Sequence, residues 1–259
     1  MIVDKTHKVI YLHNPKCGGT FLRSSYIEKY GRTDATNWWG GYTYEFGTDL
    51  GHIIYEDLPR FIPDFGEYRL LVMVRNPYNR FFSGINETKH HYNHLCRFRM
   101  VHFFSYFIHY IYYLTLRCGR LSRLEKVYEI IREIFSFVFL YKLRKMLFLS
   151  TSDFCEKLCA SGKNEQDRFL RNKRIPWLNP QSDFMGGKVE VLRYESVSDW
   201  EILLNAFDLS EYSDRLKIAK DYDIPESVCE MIRRLYPEDG LLFDLYKNIA
   251  NDNENNSCN

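Results

Sequence analysis

The sequence predicts an α/β fold, a parallel sheet flanked by helices, with a helical, aromatic-rich insertion in the middle of the chain. Short apolar runs alternate with helical patterns, which is typical of strands joined by right-handed helical crossovers. One run, Arg69–Val74, is almost continuously apolar, as expected of a strand buried on both faces. The chain of 259 residues, 45% of them hydrophobic and 27% charged, is long enough to bury the core of one such domain.

Each predicted strand is a short apolar run, and each predicted helix carries apolar residues at helical spacing. The predicted strands are Lys8–His13, His52–Tyr55, Arg69–Val74 and Val189–Arg193. The predicted helices are Thr20–Tyr30, Pro77–Lys89, Ser196–Ala206, Pro225–Leu235 and Glu238–Ile249.

The insertion is predicted over residues 90–175. Residues 100–116 carry no Asp, Glu, Lys or Arg, and residues 130–148 form a basic amphipathic stretch. A transmembrane helix needs about 20 apolar residues, and the uncharged stretch includes two His and four Tyr. Two helices packed on each other are therefore the favoured interpretation, while a membrane span, membrane-surface association and a homodimer contact remain alternatives. We expect one domain over residues 1–250 and a disordered tail over 251–259.

Composition and charge argue against several classes of function. A formal net charge of +1 creates no field that would attract nucleic acid or a membrane to the whole chain. Seven cysteines, an odd number, favour a reducing compartment, and the chain enters its first strand without a leader, so we expect a cytoplasmic protein. His90 and His94 have helical spacing, but no Cys or Glu completes a ligand set, and no metal site is predicted.

Residues 13–21, HNPKCGGTF, lie between a predicted strand and a predicted helix. This arrangement directs backbone N–H groups and a helix N-terminus at a bound anion. Gly18 and Gly19 allow the backbone to approach phosphate oxygens closely. Lys16 supplies a positive charge, and Thr20 a hydroxyl group. The alternative is a simple turn with a surface lysine, but the strand before it and the helix after it favour a phosphate-binding loop in a P-loop-like sheet.

The loop differs from that of an ATPase. In an ATPase loop the lysine follows the last glycine, whereas Lys16 precedes both glycines. A site for Mg-ATP also needs an acidic residue at the end of a later strand, but the strand at 69–74 is followed by Arg75. These residues suit two phosphate groups bound without metal.

Two motifs resemble those of sulfotransferases that use 3′-phosphoadenosine-5′-phosphosulfate (PAPS). Residues 13–21 resemble the 5′-phosphosulfate loop, and residues 74–85, VRNPYNRFFSGI, resemble the 3′-phosphate motif. Residues 50–58, 179–204 and 233–246 resemble further segments of the carbohydrate group that includes heparan sulfate 2-O-sulfotransferase.

The resemblance has limits. It does not cover the insertion over 90–175. Cys17 stands where the family usually has Thr or Ser, and Leu50 stands where the 2-O enzymes have a second histidine. A loop hydroxyl and an auxiliary histidine are therefore absent from this chain.

The resemblance implies a role for each matching residue. Lys16 would contact the 5′-phosphosulfate and the leaving oxygen, which makes it a catalytic residue. Arg75 would bind the 3′-phosphate, helped by Ser83. Arg80, on the same helix face, either joins them or forms a surface ion pair. The predicted PAPS-binding residues are Pro15, Lys16, Cys17, Gly18, Gly19, Thr20, Phe21, Arg75, Ser83 and Arg193. Arg193 is included because it ends a predicted strand, at the carboxyl edge where α/β sheets bind nucleotides.

His52 is the predicted general base, because an imidazole with an ordinary pKa of about 6.5 can take the proton of an attacking hydroxyl. A histidine of the core is the alternative interpretation, with Asp49 and Glu56 as alternative bases. Gln181 and Tyr194 are further candidates for contact with PAPS or the acceptor.

The expected activity is transfer of a sulfuryl group from PAPS to an acceptor hydroxyl by one in-line displacement, without a metal. The resemblance implies a saccharide acceptor. The four cations of residues 167–174 would favour an anionic acceptor if they line the cleft. A P-loop kinase using Mg-ATP is one alternative. A non-catalytic nucleotide-fold protein whose aromatic insertion binds a membrane or a partner is another.

Overall fold

The computed structural model describes residues 1–38, 42–43, 48–91, 146, 148–172, 176–219 and 221–246. The chain divides into a sheet-containing unit, formed by residues 1–85 and 155–259, and a second unit over residues 86–154. The helices predicted in the insertion lie almost wholly outside the described residues. Within the described residues, no helix combines the length and apolar character that crossing a membrane requires.

The strands form one sheet of four and a separate pair. In chain order they are β1 (Ile2–Asp4), β2 (Val9–Leu12), β3 (Tyr42–Thr43), β4 (Thr48–Asp49), β5 (Arg69–Val74) and β6 (Glu190–Arg193). The larger sheet has the order β1-β2-β5-β6, and β3 pairs with β4. Strands β2, β5 and β6 are parallel, whereas β1 pairs antiparallel with β2 at the edge. The carboxyl ends of three strands therefore meet at one edge of the sheet, where α/β sheets bind their ligands.

The α-helices of the described residues precede, separate and follow these strands. They are α1 (Gly19–Tyr30), α2 (Leu58–Phe61), α3 (Pro77–His91), α4 (Thr151–Cys159), α5 (Lys163–Leu170), α6 (Val197–Ala206) and α7 (Glu226–Leu235). Residues 240–246 are also helical. Ser196 caps α6, because its side chain accepts a hydrogen bond from the backbone N–H of Asp199.

Alternate residues of the central strands enter two cores, one on each face of the sheet. Tyr11 and Leu71 pack with Trp200 in the core beneath α1 and α6. Their neighbours Ile10 and Val72 pack in the opposite core. Both faces of β5 are thus buried, which explains its continuous apolar sequence.

The α/β class and the parallel pairing are confirmed, and three of the predicted strands are present within about one residue at each end. The strand predicted over His52–Tyr55 is wrong. Residues Leu50–His52 form a 3-10 turn, in which the Asp49 side chain accepts from the N–H of Gly51 at 2.8 Å. This capped turn satisfies backbone groups locally, and Ile53 still reaches the core. The antiparallel edge strand β1 was not predicted.

Candidate active site

The loop between β2 and α1 has the backbone of an anion cradle. Lys16 has φ of 67° and Gly18 has φ of 82°, both in the left-handed region. Left-handed backbone at a residue other than glycine costs about 1–2 kcal/mol and persists where the surroundings impose it. Gly18 is also the N-cap of α1 and provides no side-chain hydrogen bond, and the first turn of α1 carries no acidic residue. The positive end of the helix dipole therefore points at the loop without an acidic residue in the first turn of α1 to neutralise it.

The two glycines of the loop are required by the packing below it. A Cβ atom on Gly19 would overlap the ring of His13, and one on Gly18 would overlap the indole of Trp200. The loop is therefore seated on two buried aromatic rings. Close approach to a phosphate, the reason the sequence suggested for these glycines, is compatible with this packing but is not its cause.

Arg75 follows β5 directly and is only 4% exposed. Its guanidinium lies 4.8 Å from the ring centroid of Tyr194, and its Nη1 atom is 3.5 Å from the carbonyl oxygen of Lys16. The Nε atom is buried without a hydrogen-bond partner in the described part of the chain. A buried donor without a partner is costly, so this guanidinium suits an acceptor that the described residues do not supply.

Arg80 lies on the first part of α3 and is 3% exposed. Its Nε atom donates to the carbonyl oxygen of Pro15 at 3.2 Å, while its Nη2 atom is buried and has no partner among the described residues. The surface ion pair considered for Arg80 is therefore wrong, and this residue joins the loop. Neither Arg75 nor Arg80 forms an ion pair within the described residues.

Glu195 places a carboxylate at the same edge of the sheet, and this carboxylate is hydrogen-bonded to other groups. Its side chain accepts from the hydroxyl of Tyr246 at 2.6 Å and from the N–H of Asn76 at 3.0 Å. No ion pair joins this carboxylate to Arg75 or Arg80 within the described residues. The edge consequently concentrates positive charge, since Lys16 adds a third cation.

Gln181 holds the ends of β2 and β5 together. Its side-chain oxygen accepts from the Arg75 N–H and from the Asn14 side chain, both at 3.0 Å, and its Nε2 atom donates to the Arg75 carbonyl oxygen at 2.8 Å. The residue is fully buried. Gln181 therefore fixes Arg75 rather than reaching a ligand directly.

Cys17 points below the loop. It is fully buried, and its Sγ atom lies 3.6 Å from Gln181 Oε1 and 3.5 Å from Pro15 O. Burial raises the pKa of the Cys17 thiol to about 12, although Arg80 and Arg75 oppose this shift. The thiol is thus uncharged and packs in the core below the loop.

The remaining predicted PAPS-binding residues lie either at the cradle and on α3, or in the packing below the loop. Lys16 is half-buried at the cradle and Thr20 is exposed in the first turn of α1. Ser83 is half-buried one turn after Arg80 on α3. Phe21 packs below, edge-on to Trp200 at 5.7 Å between ring centroids.

The Arg193 side chain is hydrogen-bonded to Asp199. Its Nε atom and its backbone N–H both donate to Asp199 Oδ2, at 3.0 and 2.7 Å. The hydrogen bond to Asp199 raises the pKa of the guanidinium, and its side chain is 40% exposed. Tyr194, the next residue, is the one at this strand end that contacts Arg75.

His52 faces His13 across the first residues of the loop. The Nδ1 atom of His52 is 2.9 Å from the His13 carbonyl oxygen, and the two ring centroids are 4.4 Å apart. A carbonyl oxygen only accepts, so Nδ1 carries the proton and Nε2 is the basic nitrogen. Burial lowers the pKa of His52 to about 4, and Asp49 opposes the shift only in part. At neutral pH the ring is uncharged and able to accept a proton.

His13 is a residue that sequence reasoning missed. It is 4% exposed, and burial together with His52 holds its pKa well below the ordinary value. Its position at the start of the loop could have indicated a role in the site. No sequence motif, however, marks a residue that supports a site from the core. His13 supports both the loop, through Gly19, and the predicted base, through its carbonyl group.

A cavity of about 190 Å³ lies beside His52. Three carboxylates and one amide are among the side chains that line it. Burial raises the pKa of one of them, Asp183, to about 6, with Arg171 opposing the shift. The described residues that line it are Thr48, Asp49, His52, Ile54, Asp57, Arg171, Pro176, Asn179 and Asp183.

Comparison with known proteins gives no relative. No family model matches the chain, and no curated protein or solved structure matches it significantly. No group of three or more potential metal ligands occurs among the described residues.

Proposed function

We propose that this chain is a sulfotransferase that moves a sulfuryl group from PAPS to an acceptor hydroxyl. The observation that carries the proposal is the pair of buried guanidiniums, Arg75 and Arg80, that lie beside a glycine loop and have donor atoms without partners among the described residues. The resemblance of residues 13–21 and 74–85 to the two phosphate motifs of PAPS-dependent enzymes supports the same conclusion.

The residues present fit a ligand with two separate anionic ends. The unpartnered Nε of Arg75 and Nη2 of Arg80 would bind a 3′-phosphate through charge-assisted hydrogen bonds. The loop, the N-terminus of α1 and Lys16 would hold the 5′-phosphosulfate. Mg-ATP fits less well, because Arg75 occupies the position at the end of β5 where a magnesium-binding carboxylate would be needed.

PAPS would supply an activated sulfuryl group. Lys16 would stabilise negative charge that develops on the leaving phosphate oxygen. The Nε2 atom of His52 would take the proton of the acceptor hydroxyl as its oxygen attacks sulfur. One S–O bond then forms to the acceptor, the S–O bond to the 5′-phosphate breaks, and the electron pair leaves with that phosphate.

The decisive experiment compares thermal stabilisation by adenosine 3′,5′-bisphosphate with that by adenosine 5′-monophosphate, which lacks the 3′-phosphate. A ligand at 100 times its Kd raises the free energy of unfolding by about 2.7 kcal/mol. We expect the bisphosphate to stabilise the protein without metal and the monophosphate to do so far less at equal concentration. Stabilisation by ATP that requires Mg²⁺, without any by the bisphosphate, would favour the kinase alternative and end the proposal.

Turnover is the second part of the test. Transfer of ³⁵S-sulfate from labelled PAPS to a mixed saccharide fraction should be lost in Lys16→Ala and should persist in Lys217→Ala, a lysine change outside the site. Bisphosphate binding without transfer to any acceptor would favour the non-catalytic alternative.

A further inference from the structure

We infer that the cavity beside His52 is the acceptor subsite and that it takes an uncharged or cationic, hydroxyl-rich molecule such as a neutral sugar or amino sugar. This inference rests on the proposed function for the identity of the reaction, whereas the chemistry of the cavity stands independently. It differs from the anionic acceptor that the cations of residues 167–174 suggested.

Asn179 lines the cavity and carries a buried oxygen atom that lacks a donor among the described residues. The residue is only 6% exposed, and the atom is its Oδ1. A buried carbonyl oxygen without a donor costs about 1–3 kcal/mol. A ligand that brings a hydroxyl or ammonium hydrogen to this atom would remove that cost, which favours a ligand with hydroxyl or ammonium groups.

The charges around the cavity are a second line of evidence. Three carboxylates line it, those of Asp49, Asp57 and Asp183, against one guanidinium, that of Arg171. Arg171 is already engaged, since it pairs with Asp183 at 3.4 Å and also with Glu238. Among the described lining residues, an acidic sugar would therefore meet three carboxylates and one guanidinium that is already paired with a carboxylate.

The described cations of residues 167–174 are Arg168 and Arg171, and neither reverses this balance; residues 173–174 lie outside the described part of the chain. Arg168 is exposed and does not line the cavity, whereas Arg171 lines it and is paired there with carboxylates.

Size and position complete the argument. A volume of about 190 Å³ is small beside the roughly 300–1,000 Å³ of pockets for drug-sized ligands, and it suits one sugar ring. His52 lines the same cavity, so a hydroxyl of the bound ring would lie next to the basic nitrogen. Asn179 and Asp57 would then be specificity-determining residues, since both offer acceptors to the ring.

The test uses binding without nucleotide. Protein labelled with ¹⁵N at histidine is titrated with methyl glucoside, glucosamine and glucuronate, each to about 50 mM, and the His52 signals are identified from the His52→Gln spectrum. We expect the His52 signals to shift with methyl glucoside and glucosamine. The apparent Kd for glucuronate should be at least about tenfold higher. Equal or stronger response to glucuronate, or no response to any of the three sugars, would overturn the inference.

Two variants sharpen the result. Asn179→Leu removes the unpartnered oxygen at similar volume and should weaken the response to methyl glucoside at least fivefold, while Asn205→Leu, on the exposed side of α6, should not change it. Asp57→Asn removes one negative charge and should strengthen the response to glucuronate by about tenfold relative to methyl glucoside. An unchanged ratio in Asp57→Asn would overturn the charge argument even if Asn179→Leu failed to fold.

The outcomes separate this inference from the proposed function. Thermal stabilisation by adenosine 3′,5′-bisphosphate reports on the cradle, and the sugar titration reports on the cavity. Sugar selectivity without bisphosphate binding would keep the cavity as a sugar site and end the sulfotransferase proposal. Bisphosphate binding with a preference for glucuronate would keep the sulfotransferase proposal and end the inference about the cavity.

Discussion

Replacing Arg75 by methionine should stabilise the ligand-free protein and weaken binding of adenosine 3′,5′-bisphosphate. The guanidinium is 4% exposed, has no ion pair among the described residues and leaves its Nε atom without a partner. Exchanging buried charged groups for apolar side chains of similar volume is often stabilising, by about 1–4 kcal/mol. The lost contact with the Tyr194 ring, 4.8 Å away, offsets about 0.5–2 kcal/mol of this. Methionine sulfur can replace part of that contact.

The net expectation for Arg75→Met is about 1–2 kcal/mol of added stability, or a Tm higher by about 2–8 °C for a chain of this size. Loss of a charge-assisted hydrogen bond to phosphate, about 1.5–3 kcal/mol, should raise the Kd of the bisphosphate by about 10- to 100-fold. Thermal melts with and without ligand measure both effects on the same samples.

Arg168→Met is the matched control, because Arg168 is exposed on α5 and outside the cradle. Its Tm should change by less than the equivalent of about 0.5 kcal/mol, with unaltered bisphosphate affinity. A lower Tm for ligand-free Arg75→Met together with wild-type affinity would refute the reasoning, since Arg75 would then be a structural residue.

Three further changes test other parts of the site. Gly19→Ala should destabilise the protein by about 1–3 kcal/mol in urea unfolding, because the new methyl group overlaps His13; the same change at Gly162, whose surroundings are open, should have little effect. His52→Gln should keep bisphosphate binding while lowering kcat by about 10²–10⁴-fold, and an unaltered kcat would exclude it as the base. The pKa of His52 in the fold is about 4, below the ordinary 6.5, so the folded protein favours the neutral ring. The part of the unfolding free energy that depends on this neutral ring is therefore complete above pH 6.5 and is lost as the pH falls towards 4. At about 1.4 kcal/mol per pH unit this loss is at most about 3 kcal/mol, and unfolding of His52→Gln should depend less on pH across that window.

The sequence predicted the parts of the fold that depend on local pattern. The apolar run of β5 and the strand–glycine–helix order at residues 9–30 are local signals, and the structure has both. His52–Tyr55 has an equally apolar sequence, yet it forms turns, because the Asp49 cap and the core contact of Ile53 outweigh strand propensity there. The cap is local, but the core contact of Ile53 depends on residues distant in the chain.

Side-chain direction was the main limit in predicting the site. Arg80 and Arg193 are both arginines near a strand end, but Arg80 is buried against the loop whereas Arg193 pairs with Asp199 one turn into α6. Cys17 lies within the loop motif and still points below it. Sequence spacing places a residue on an element, but the packing of several elements decides which group its side chain meets.

The position of Gln181 has a consequence for how the protein folds. Its amide joins Asn14 and Arg75, which precede it by 167 and 106 residues, and its own N–H donates to Asp239. During synthesis, β2 and β5 can pair before this residue has left the ribosome, but the ends of those strands are not tied together until the last third of the chain docks. Under the proposed function, affinity for adenosine 3′,5′-bisphosphate would then arise in one late step, and a chain released early would carry the loop without the Gln181 contacts that fix Arg75.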